Sequence, residues 1–250
     1  MHTSFKSRLA KRELLVGTIV TLSSPEVAEI LGHTGLDWLF VDLEHSTLDT
    51  KAAQVILQTA GAQATCVVRV PLNDEIWIKK VLDIGSPGLI VPLVRNAEQA
   101  RQAVRWCKYP PDGVRSVGIG RAHGYGPGFQ AYVRSANETT AVILQIEHID
   151  AVNNIEKILN VNGIDCLFVG PYDLSASMGR MGRVDDADVQ KAIAHVTECA
   201  THAKMPLGIF GATPGAVLPY IESGFSLIAV SMDTLLLGNA ARDVLSAFNT

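Results

Sequence analysis

Trp38-Leu39-Phe40-Val41-Asp42-Leu43-Glu44-His45 is the stretch whose reading decides the fold. Four apolar residues in succession read as a strand covered on both faces, since a strand with one wet face would alternate polar and apolar residues. Asp42, Glu44 and His45 then arrive within four positions. Burying them costs free energy unless they meet water, a cation or one another. In parallel α/β folds ligands sit at the C-terminal ends of strands. This strand end is therefore expected to face a site.

Outward from it, similar apolar runs recur at residues 16–22, 39–43, 66–70, 89–94, 141–146, 166–169, 207–210 and 227–230. They are rich in Val, Ile and Leu. The segments between them carry helix signals. Ser24-Pro25-Glu26 reads as an N-cap, a proline at the first helical position and an acidic first turn. Residues 73–82 follow, with Asn73 as the expected cap, then 96–107, 151–159 and 186–203. Eight strands alternating with helices predict one (β/α)8 barrel, a TIM barrel, spanning residues 1–250 as a single domain. A doubly wound open sheet is the alternative. It usually has fewer strands, and no G-x-G-x-x-G follows the first strand. Residues 109–128 break the rhythm with six glycines and three prolines. A long irregular connection of this kind suits a lid or binding loop, and it holds Arg115, Arg121 and His123.

Composition narrows the class. Hydrophobic residues make up 48% of 250, enough for a large core, and the net charge of −4 argues against nucleic acid as a partner. No apolar run approaches the roughly 20 residues of a membrane span. Residues 1–13 are polar and basic, unlike a secretory signal. Cys66, Cys107, Cys166 and Cys199 are widely spaced with no C-x-x-C, so they read as free thiols in a reducing cytoplasm, the expected location.

A barrel places its chemistry at strand C-termini. There the sequence offers Asp42, Glu44 and His45, then Arg69, then Gln145 and Glu147, then Asp173 just after the sixth strand. Phe210-Gly211-Ala212 and Val230-Ser231 close the last two. Glu147 and Asp173 could hold a hard divalent cation, which accepts one or two protein carboxylates and fills its other positions with water and substrate oxygens. A metal-free acid/base pair is the rival reading. Arg69 offers a fork for a carboxylate or an enolate oxygen. His45 is the imidazole at these strand ends, the side-chain type best suited to moving a proton at neutral pH. Asp83, ending the helix after the third strand, could orient it. No lysine ends a strand, which disfavours a Schiff-base mechanism. A carbanion formed here would need a metal to hold its charge.

Several stretches together resemble the HpcH/HpaI aldolase family of metal-dependent class II pyruvate aldolases. They are Gly35-Leu36-Asp37-Trp38 through His45, Val68-Arg69, Lys80-Val81-Leu82-Asp83-Ile84-Gly85, Val91-Pro92, Tyr109-Pro110-Pro111-Asp112-Gly113-Val114-Arg115, Gln145-Ile146-Glu147 and Gly170-Pro171-Tyr172-Asp173-Leu174-Ser175. The resemblance runs in order over nearly the whole chain. It implies a divalent metal, Mg²⁺ or Mn²⁺ first and Co²⁺ or Zn²⁺ next, held by Glu147 and Asp173. It implies catalytic roles for His45 and Arg69, with Asp83 supporting His45 and Asp42 close by. Gln145 and the backbone at Tyr172 would line the pyruvate site, with Arg69, Gly170, Pro171 and Phe210 as further substrate contacts. The implied reaction makes or cleaves 4-hydroxy-2-oxo acids from pyruvate and an aldehyde through a metal-stabilised enolate. The implied assembly is a homohexamer, a trimer of dimers exchanging a C-terminal helix near residues 234–248. Tyr172 stands where the best-known members carry Ala, and Ser116 replaces a common Gly. A citryl- or malyl-CoA lyase is the enzyme alternative, though no basic cluster suits a CoA phosphate. A non-catalytic barrel binding a 2-oxo acid is the other, and it could dispense with His45.

Overall fold

The computed structural model describes residues 4–248. Eight parallel strands, β1 (Leu15–Val20), β2 (Trp38–Asp42), β3 (Thr65–Arg69), β4 (Gly88–Val91), β5 (Ala141–Ile146), β6 (Cys166–Val169), β7 (Leu207–Gly211) and β8 (Leu227–Met232), close into a barrel in sequence order. The helices are α1 (Phe5–Ala10), α2 (Pro25–Gly32), α3 (Thr50–Ala60), α4 (Glu75–Asp83), α5 (Ala97–Cys107), α6 (Phe129–Thr139), α7 (Ile149–Asn153), α8 (Ile155–Leu159), α9 (Pro171–Ser177), α10 (Ala187–His202), α11 (Pro214–Glu222) and α12 (Asp233–Ser246). This is the (β/α)8 architecture expected from the strand rhythm.

The strands are uniformly apolar because both their faces are covered, by different layers. Alternate residues point to opposite sides of a strand. Leu39 and Val41 join the outer layer beneath the helices. Trp38 and Phe40 fill the barrel interior with Val67, Ile143, Cys166 and Phe168. The inward rows continue to the strand ends: Trp38, Phe40, Asp42 on β2; Val67, Arg69 on β3; Ala141, Ile143, Gln145 on β5. One periodicity thus fills the core and aims the polar residues at the mouth. Trp38 is fully buried and donates Nε1–H to the Ile228 carbonyl at 3.1 Å. Phe5 and Leu9 of α1 pack into the same interior cluster from the opposite end.

Details differ from the sequence reading. The cap of α4 is Asp74, which accepts from the Ile76 and Trp77 amides; the Asn73 side chain instead donates to the Gln99 carbonyl. The helix expected at 151–159 is two short ones meeting at Asn154, whose backbone leaves the helical region. Residues 109–128 are irregular save for a 3-10 turn at Arg121–His123, and α6 then leads into β5. Among the described cysteines all four are free, three of them buried. No described helix is long and apolar enough to cross a membrane.

Candidate active site

The ionisable strand-end residues converge on a cavity of about 230 Å³ at the barrel mouth, lined by Asp42, His45, Arg69, Gln145, Asp173 and apolar neighbours including Phe40, Phe168 and Phe210. A roomier cleft of about 590 Å³ at the other end has no carboxylate or imidazole in its lining, so chemistry is concentrated at the smaller one.

Asp42 and Arg69 are register partners on β2 and β3. Their side chains close a two-pronged ion pair, Nε to Oδ1 at 2.8 Å and Nη2 to Oδ2 at 2.6 Å, both residues buried. Parallel N–H···O bonds of this kind fix the guanidinium plane. Burial pushes the Asp42 carboxyl up, but Arg69 and the amides of Glu44 and His45 outweigh it and hold the group below its ordinary range. Arg69 also lies 5.0 Å from the centre of the Phe40 ring. Its remaining nitrogen, Nη1, faces Gln145 Oε1 at 3.4 Å and Glu44 Oε2 at 3.1 Å.

Glu44 is a strand-end carboxylate to which the sequence reading assigns no role. Its Oε2 is enclosed, attracted to Arg69 but not aligned to accept a hydrogen bond from it, and lies 3.7 Å from His45 Nε2. Burial, with Asp42 and Asp173 nearby, pushes Glu44 up to about 7 despite Arg69. Glu147 is buried as well. Its Oε1 accepts the Leu93 amide at 2.7 Å and its Oε2 accepts from Gln145. Burial and the charges of Glu44 and Asp173 raise it to about 7, against the Leu93 amide and Arg69. Glu44 and Glu147 thus each feel the charge of Asp173 across the mouth. An orphaned carboxylate oxygen and two carboxyls driven up by burial and mutual repulsion fit a site built for a cation.

Asp173 enters from the first turn of α9, with Gly170, Pro171 and Tyr172 beside it. Gly170 is required by close approach: a Cβ there would meet Glu147 Cβ and Oε2 at 2.9 Å and Gln145 Nε2 at 3.0 Å. His45 stands at the mouth, 63% exposed at its side chain. Phe210 supplies a wall and touches Tyr172.

Asp83 is the exception. It ends α4, which returns from the mouth to the N-terminal end of β4, and its Oδ1 accepts from Arg115 Nη2 at 2.7 Å. Within one chain it is held at the far end of the barrel and does not support His45. The signal was in the topology: a helix after a barrel strand finishes opposite the strand C-termini.

Fold and site define a barrel enzyme with a carboxylate-lined mouth. The chain belongs to the HpcH/HpaI aldolase/citrate lyase family, which its sequence matches over residues 16–240. It is 40% identical over 243 residues to a 2-dehydro-3,6-dideoxy-6-sulfogluconate aldolase of Pseudomonas putida, covering 96% of this chain and 94% of that one. It is 39% identical over 248 residues to a hydroxypyruvate/pyruvate aldolase of Paraburkholderia phytofirmans, covering 96% and 95%. A crystal structure of a family member from Burkholderia cenocepacia J2315 matches with a TM-score of 0.94 at 36% identity, covering 98% of each chain. The named relatives are aldolases, and the chain is a carbon–carbon lyase of that kind, acting on small molecules.

Proposed function

We propose that this lyase is a divalent-metal-dependent aldolase that makes or cleaves 4-hydroxy-2-oxo acids, with pyruvate as one half and an aldehyde as the other. The observation that carries the reading is that Asp173 and the buried Glu147 are brought beside Arg69 and Gln145 at the barrel mouth. Glu147 and Asp173 would hold the cation. Two protein carboxylates suit Mg²⁺ or Mn²⁺, which takes its remaining oxygens from water and substrate. When bound, the cation would chelate the 2-oxo acid and offset negative charge developing on its keto oxygen.

The chain's own residues do the rest. Arg69, locked in plane by Asp42, turns Nη1 toward the pyruvyl half. Gln145 orients the substrate carboxylate with the Tyr172 and Asp173 amides, which the first turn of α9 leaves without helical partners. In cleavage His45 Nε2 takes the C4 hydroxyl proton as the C3–C4 bond breaks and the aldehyde leaves; in condensation it returns the proton. Arg69 is the only Arg or Lys among the described residues lining the cavity, which favours small 2-oxo acids over a CoA thioester. The assembly we propose is a hexamer in the cytoplasm, built on α12. Leu236, Leu237, Val244, Leu245 and Phe248 on and after this helix are exposed in the single chain, which supports its packing on another copy.

The test is pyruvate release from a panel of 4-hydroxy-2-oxo acids by EDTA-treated protein with and without added Mg²⁺, Mn²⁺ or Co²⁺. Release should require the cation. EDTA-resistant cleavage refutes the metal, and release from acyl-CoA substrates instead refutes the substrate class.

A further inference from the structure

Next to the catalytic cavity lies a second one of about 290 Å³, bounded by Val184, Asp185, Gln190, Pro219 and Tyr220. The two share a wall: Pro171, Tyr172 and Phe210 line both. The Tyr172 and Phe210 rings meet at 6.1 Å between centroids, tilted by 49°. Pro171 is buried at the start of α9 and Phe210 is rooted in β7, whereas Tyr172 is 39% exposed. The partition therefore depends on one side chain whose body stands free of the core.

Size makes the partition matter. At about 230 Å³ the catalytic cavity is smaller than the one beside it, and an electrophile that shares it with pyruvate meets the wall made by Tyr172 and Phe210. The side cavity has a different chemistry. Gln190 Nε2 donates to the Tyr220 hydroxyl at 3.0 Å and to the Val184 carbonyl at 2.9 Å. Ser223 adds a hydroxyl and Asp185 a carboxylate, and no Lys, Arg or His is among the lining residues described. Such a surface suits the hydroxyls of a neutral polyol and repels a terminal phosphate or carboxylate.

We propose that Tyr172, braced on Phe210, sets the length of aldehyde this enzyme accepts. The ring confines the acceptor to two or three carbons and screens a hydroxyl-binding cavity that a longer polyhydroxy aldehyde reaches once the ring is gone. This rests on the aldolase reading above. Removing unfavourable bulk from a specificity pocket changes discrimination by about tenfold or more.

The experiment is Mg²⁺-supplemented addition of pyruvate to glycolaldehyde, glyceraldehyde, erythrose and erythrose 4-phosphate. It compares wild type with Tyr172→Ala, Tyr172→Phe and Phe210→Ala. Wild type should lose about tenfold in kcat/KM from glycolaldehyde to erythrose. Tyr172→Ala should erase that preference for erythrose but not for its phosphate, and Tyr172→Phe should keep it, because the ring and not the hydroxyl forms the wall. Phe210→Ala, removing the other half, should act like Tyr172→Ala. An unchanged erythrose-to-glycolaldehyde ratio in both alanine variants overturns the proposal, as does a wild type without a length preference. Exchange of pyruvate methyl protons with deuterated water, followed by NMR without aldehyde, separates the two levels. Exchange with an unmoved ratio overturns the wall alone; absence of exchange overturns the aldolase reading and the wall with it.

Discussion

Each end of the barrel carries a buried arginine stacked on an aromatic ring and closed by an aspartate. At the mouth Arg69 lies over Phe40 and is held by Asp42. At the other end Arg115 sits 4.6 Å from the centre of the Tyr109 ring and 5.5 Å from that of Tyr132, donates to the Tyr132 hydroxyl at 3.1 Å, and is held by Asp83. The surroundings differ. Arg115 is enclosed by the loop it ties down, and its side chain has no exposure. Arg69 keeps a nitrogen turned to a cavity where Glu44 and Glu147 are held above their ordinary range. An arginine–aspartate pair is thus no signature of chemistry by itself. What marks the mouth is the surplus of carboxylates that the local cation does not neutralise.

Substitutions at the two ends can break this contrast. His45→Ala should lower kcat by about 10²–10⁴ with Mn²⁺ binding intact, the size of a lost proton transfer; steady-state kinetics with calorimetry checks both halves, and wild-type turnover would remove His45 from the mechanism. Arg69→Lys keeps the charge but loses the fork, so kcat should fall by about 10²–10³. Arg115→Met should act on stability instead, by about 2 kcal/mol, because Asp83 stays partly hydrated when left alone. For a chain of this size that is a Tm lower by roughly 4–8 °C in a thermal melt. Asp83→Asn sharpens the comparison. A lower Tm with little change in kcat keeps Asp83 with the loop, whereas lost turnover at an unchanged Tm makes it a residue delivered to His45 by a second copy.

The smallest effect is in pH. Glu44 and Glu147 titrate near 7 in the folded chain against an ordinary value of 4.5. Between those values the folded protein holds protons that the unfolded chain has released, so metal-free stability falls as pH rises through that window. The Tm of EDTA-treated protein should decline from pH 5 to 7.5, less so in Glu147→Gln, and Mn²⁺ should flatten the decline. A metal-free Tm that rises across the window would contradict the acidic crowding.

The barrel was legible because continuous apolar runs such as Leu39–Val41 have few other uses in a chain of this composition. The inward row of β2 also announced Asp42, and that of β5 announced Gln145. Glu44 was harder, because nothing in the local sequence says that its oxygen ends up between Arg69 and His45 rather than in water. Within one chain Asp83 lies away from His45: motif spacing says nothing about which end of the barrel a residue reaches, while the helix it terminates does. The cap of α4 slipped by one position because Asn73 and Asp74 both make good caps, and a contact to Gln99 in α5 took the first of them.

Trp38, Phe40 and Phe168 fill the barrel beneath Arg69, their ring centroids 5.7 to 6.3 Å apart. This layer is the floor of the cavity and, through Trp38 against Phe5, meets α1 at the opposite end. Tyr172 packs on Phe210 at the mouth and Arg115 on Tyr109 and Tyr132 at the other end, and the free-energy effects of such distant changes add. The mouth can therefore drift toward new acceptors, through Tyr172 or Phe210, while stabilising changes accumulate around Arg115 without interfering. The aromatic layer makes this barrel evolvable in two independent halves.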